Sequence, residues 1–123
     1  MSTSPQKNVP SFRTLADVTI ANNASLSDGV KLYGNTLIGL VMPDTWTTAG
    51  LSFQGSVDGG ATYLDLYDST GAEKTVATGG ASRIIMLPPS DWFAIDAIKV
   101  RSGTTGSAVA QGGARTIQLI LAG

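Results

Sequence analysis

A chain of 123 residues with neither Cys nor His and a formal net charge of -1 is bounded before any motif is sought. One domain is expected, with no disulfide, no thiolate metal site, no imidazole to shuttle protons near neutral pH, and no basic excess to hold a nucleic-acid backbone. Charged residues make up only 14% of the chain, against about 25% in average soluble domains.

Residues 1–16 are rich in Ser, Pro and Gln, with Pro5 and Pro10 and no periodicity. They are expected to form an extended N-terminal arm that orders against a partner, with Pro5, Pro10 and Phe12 as contacts. Residues 17–123 are expected to form the single domain. The N-terminus shows no apolar stretch of the ~7–15 residues that a secretory signal needs. The longest apolar run, TLIGLVM at 36–42, is far short of the ~20 residues that cross a bilayer. Synthesis in the cytoplasm without export, and no membrane partner, are the expectations.

From Asp17 onward, short apolar runs are punctuated by Gly, Asn, Asp and Pro, the grammar of strands and turns. VTI (18–20) opens the series. SLSDGVKL (25–32) carries a DG pair that suits a turn or bulge. NTLIGLVM (35–42) is apolar on both faces and stops at Pro43, as a central strand covered on both sides would. In LSFQGSV (51–57), Leu51, Phe53 and Val57 alternate with Ser52, Gln54 and Ser56. ATYLDLYD (61–68) answers it, followed by AEKTVA (72–77), SRIIML (82–87), AIKVRS (97–102) and TIQLILA (116–122). In the last, Ile117, Leu119 and Leu121 share one face. PSDWFAID (89–96) is the one helical candidate, a single turn capped by Ser90 or Asp91 with Trp92 and Phe93 pressed inward. This pattern predicts an all-β protein, an eight- or nine-stranded antiparallel β-sandwich with a jelly-roll-like path.

Between two of these strands lies SVDGGATY (56–63), which resembles the Asp-box hairpin of sialidases and other β-propellers. Ser56, Asp58, Gly60, Thr62 and Tyr63 are the residues of interest. The Asp58 carboxylate can accept N–H groups within the turn, and Gly59 and Gly60 supply positive φ. In the families that share it this hairpin is architectural, so the resemblance implies a structural role and no catalytic one.

Other segments are weaker. DLYDSTGAE (65–73) gathers Asp65, Asp68 and Glu73 without the alternation a calcium loop needs, and DSTG reads as a type I turn. No His or G-x-S-x-G elbow activates a serine, Glu73 is the sole Glu, and no phosphate loop is present. No enzyme activity, metal or cofactor is expected. Trp46, in PDTWTTAG, is a candidate exposed contact residue. RSGTTGSAVAQGGAR (101–115) reads as a long flexible connection bracketed by Arg101 and Arg115, with both as candidate partner contacts.

SLSDGVKLYGNTLIGLVMPDTWTTAGLSFQGSVDGGATYLDLYD, SRIIML, IKVRSG and RTIQLIL together resemble small virion-associated proteins of tailed bacteriophages and prophages, over residues 18–121. LIGLVMPDTWTTAGLSFQGSVDGG and IKVRSG carry most of the likeness. The resemblance implies a particle component located in the virion, by size a capsid decoration (cement) protein, with the major capsid protein as partner and self-association as a trimer. It brings no functional residues with it. The low charge agrees with such a role if the surface is covered by neighbours; the other way to stay dispersed is a surface of hydroxyls and small residues, and Gly, Ala, Ser and Thr supply 55 of the 123 residues. The alternative function is a virion-borne receptor- or glycan-binding module using Trp46, Tyr33 and the 101–115 segment.

Overall fold

Strands form here where aliphatic and β-branched side chains alternate with small polar ones, because that period matches the two faces of a pleated ribbon. The computed structural model describes residues 13–123. Its ten strands are β1 (Arg13–Ile20), β2 (Val30–Lys31), β3 (Thr36–Val41), β4 (Leu51–Ser56), β5 (Leu64–Asp65), β6 (Thr75–Val76), β7 (Ile84–Met86), β8 (Ala97–Thr104), β9 (Ser107–Ala108) and β10 (Arg115–Ala122). They build two antiparallel sheets. The first has the order β1-β10-β3-β7; the second has the order β2-β8-β4-β5, with β6 also on β4 and β9 on β8. Among the described residues, the only helical segment is a 3-10 turn at Pro89–Asp91, and no helix is long and apolar enough to cross a membrane.

The core lies between the sheets. From the first come Val18, Ile20, Leu37, Leu40, Ile117, Leu119 and Leu121; from the second, Leu51, Phe53, Ile98 and Val100. Each such side chain removed from water contributes about 1.5–3 kcal/mol, offset by chain entropy. Trp92 closes the layer edge-on to Phe53, ring centroids 4.9 Å apart.

Several expectations change on contact with the fold. Residues 13–16, assigned to the arm, form the first half of β1, with Arg13 opposite Ala122 and Ala16 opposite Leu119. Ala16 packs against the core while Leu15 faces out. Weak β-propensity in the sequence was overridden by a ready partner in β10. Pro5, Pro10 and Phe12 lie outside the described residues. β3 is central in its sheet, yet its outward face is only partly covered: Gly39 is buried, while Ile38 and Val41 are half-buried.

Phe93 is 72% exposed, because the 3-10 turn delivers Trp92 to the core and its neighbour then faces away. Pro88 occupies the cap position, without a side-chain cap. Val57 likewise leaves the core face, since the chain has already entered the hairpin turn. The 101–115 segment is structured. β8 runs on to Thr104 and folds back on β9, with Gly103 opposite Ala108. Gly103 takes φ +89°, and a Cβ there would sit 2.4 Å from the Ser107 carbonyl oxygen, so only glycine makes this reversal without strain.

Candidate functional site

The hairpin joining β4 to β5 is built from its short polar side chains. Ser56 Oγ donates to Asp58 Oδ1 at 2.6 Å and accepts the Gly60 N–H at 2.8 Å; Asp58 Oδ1 also accepts the Thr62 N–H at 2.9 Å. Gly59 and Gly60 stand at φ +74° and +94°. These donors, Ser56 first and then Thr62, hold the Asp58 carboxyl below its usual range. Tyr63 lies over the turn. Lys99 Nζ stands 4.7 Å from its ring centroid, and a Cβ on Gly29 would come within 2.3 Å of its hydroxyl. The five residues singled out here therefore meet, and Asp58 Oδ1 is bonded within the turn, to Ser56 and Thr62.

A second polar centre was invisible in the sequence. Arg101 is 7% exposed and holds two acids on the outer side of β4 and β8. Its Nη2 donates to Asp65 Oδ1 at 2.6 Å, while Nη1 donates to Glu73 Oε2 at 3.3 Å, Thr105 Oγ1 at 2.9 Å and Ser52 Oγ at 3.1 Å. The bond from Arg101 keeps the Asp65 carboxyl below the usual range, although partial burial opposes it. A general acid needs the opposite shift. Arg101 is thus an internal clamp and offers a partner no surface, which corrects its reading as a contact. Asp68, in the neighbouring turn, accepts the Thr70 hydroxyl and N–H and the Ala72 N–H, as the DSTG turn requires.

Trp46 and Arg115 are linked through Thr47, the residue after Trp46, whose Oγ1 accepts from Arg115 Nη2 at 3.4 Å. Trp46 is half-buried against the core and donates its Nε1–H to Ala49 O at 3.0 Å. Arg115 Nε donates to Gln111 Oε1 at 3.1 Å, which also accepts the Thr47 N–H. Gln111 is 1% exposed and donates to Ser102 Oγ and Thr47 O. A lone Gln in a Gly-rich stretch carries no sequence signal for this role. Neither Trp46 nor Arg115 projects as a free contact residue.

What the surface does present is apolar. Leu15, Ile84 and Met86 stand out from the first sheet at 46%, 65% and 69% exposure. Leu15, Ile120, Gly39 and Met86 occupy one register row across all four strands. On the other side, Val57, Leu64, Leu66, Tyr67 and Ile95 line a groove of about 450 Å³ with Asp58 and Asp65. Tyr33 stands alone, 84% exposed at φ +52°, beside Lys31 and Asp96. The alternation of Leu15, Asp17 and Thr19 against Ala16, Val18 and Ile20 was the available signal for the first patch. Among the described residues, no group of three or more Asp, Glu, His or Cys side chains is placed to hold a metal ion.

No family model matches the chain, and a search of curated proteins gives no match either.

Proposed function

We propose that this protein is a phage virion component that works by contact, a capsid decoration protein that binds the major capsid protein and stiffens the shell. It transforms no substrate and needs no cofactor. The observation that carries this reading is the pair of exposed apolar surfaces in a chain of low charge. Large exposed apolar patches mark interaction sites on soluble proteins. The strand orders β1-β10-β3-β7 and β2-β8-β4-β5 support a jelly-roll path, an architecture shared by capsid and lectin domains; fold alone does not assign the role. The sequence resemblance supplies the particle. The test is to heat or osmotically shock particles with and without the protein. Greater survival of the decorated particles is expected, and equal survival rejects the cementing role.

A second reading, glycan binding, rests on Tyr33. Its ring is presented to solvent from a left-handed backbone position beside Lys31 and Asp96, a flat face with polar neighbours. Trp46, bonded internally, is not part of it. Loss of host-cell adsorption by Tyr33→Ala particles with intact heat resistance would favour this reading over cementing.

A further inference from the structure

We propose that two copies of this chain join through the open edge of β1, antiparallel across a two-fold axis centred on Leu15. The inference goes beyond the particle reading and holds whatever surface the chain rides on.

The edges of the two sheets are not alike. β7, β2, β5, β6 and β9, which form the other edges among the described residues, are two or three residues long. Such brief strands offer little to pair with. β1 has eight residues and, among the described residues, pairs with one strand, β10. In an antiparallel ladder, successive residues alternate between bonding the neighbour and facing away. Thr19 shows which set faces away: its N–H is taken by Asp28 Oδ1 at 3.0 Å, and its carbonyl accepts the Asp28 N–H at 3.3 Å. The odd residues of β1 therefore point their backbone groups outward. Asp28 seals the edge at Thr19, and among the described residues nothing does so at Leu15 or Asp17.

Charge then selects the occupant and its register. A second β1 centred on Leu15 sets Leu15 against its copy and Arg13 against Asp17 of the second copy, twice by symmetry. The Leu15 pair lies at a position where both backbone bonds are exchanged. Centring on Asp17 opposes two carboxylates and drives the strand into the sealed Thr19; centring on Arg13 opposes two guanidinium groups. Opposite charges across a pair stabilise a sheet and like charges oppose it. A guanidinium has five N–H donors, so Arg13 can join this pair while keeping other bonds. On the outer face, the row of Leu15, Ile120 and Met86 becomes continuous with that of the second copy, which withdraws exposed apolar surface from water. The interface is isologous, as a two-fold requires. This two-fold is an alternative to the three-fold assembly that the resemblance implied.

The test is sedimentation equilibrium on the full chain: wild type, Asp17→Arg, the exchange Arg13→Asp with Asp17→Arg, and Leu15→Pro. The wild type is expected at twice 12.6 kDa. Asp17→Arg should weaken association at least about tenfold, and the exchange should restore it. Leu15→Pro removes the central outward N–H, which an edge strand tolerates, and should also dissociate the pair. Thermal melts check that each variant is folded. A monomeric or trimeric wild type, indifference to Asp17→Arg, or failure of the exchange to restore pairing overturns the proposal. None of these outcomes bears on particle survival, so the two readings fail separately.

Discussion

Replacing Arg101 with Met keeps an unbranched apolar stem but removes the charge that two carboxylates share. The Arg101 side chain is 8% exposed, and those of Asp65 and Glu73 are 27% and 16% exposed. Deleting one member of a buried ion pair costs about 3–5 kcal/mol, because the remaining charge is left in a poorly solvated place. Water still reaches both acids here, so the low end, about 3 kcal/mol, is expected. Urea denaturation at pH 7 with an unchanged m-value measures it directly. The melting temperature should fall by about 10 °C. Neutralising the acids as well, with Asp65→Asn and Glu73→Gln, should recover part of the loss, since no uncompensated charge remains. A loss below about 1 kcal/mol would place this cluster with ordinary surface ion pairs and refute its description as a clamp.

The same cluster sets a pH dependence. Asp65 is held below its unfolded range chiefly by the bond from Arg101. Its stabilisation is complete above the unfolded value. As pH falls, the unfolded chain takes the proton first, and the contribution disappears as pH passes through the folded value. Stability should therefore decline below about pH 4, and less steeply in Arg101→Met.

Two further outcomes follow from particular residues. In Asp58→Ala, the Thr62 amide loses its acceptor and Ser56 Oγ loses its own, so amide exchange at Thr62 should accelerate while that of Leu119 in β10 stays slow; equal exchange in both proteins would remove Asp58 from the turn. Trp92→Ala should cost about 3–5 kcal/mol through loss of the Phe53 contact and the cavity left behind. The adjacent Phe93→Ser should stay within about 0.5 kcal/mol of wild type, and a comparable loss at both positions would contradict their opposite burial.

Much of the architecture was readable in local chemistry. The short apolar runs separated by Gly, Asn, Asp and Pro announce strands, and the inward face of β10 follows from the alternation of Ile117, Leu119 and Leu121. The SVDGGATY turn was legible because the bonds made by its Ser56 and Asp58 side chains join residues four or fewer apart, a span that sequence spacing describes directly; the Gly59 N–H, by contrast, reaches a distant residue, Asp96. Adjacency of strands has no such signature. Arg101 finds Asp65 across 36 residues and Glu73 across 28, so a residue that reads as the rim of a loop becomes the centre of a buried clamp. The same holds for the ends of β1. Alternation tells that Leu15, Asp17 and Thr19 share a face, while only the packed fold brings Asp28 against Thr19. A strand's pattern specifies its two faces; which neighbours it acquires depends on the closure of the whole sandwich.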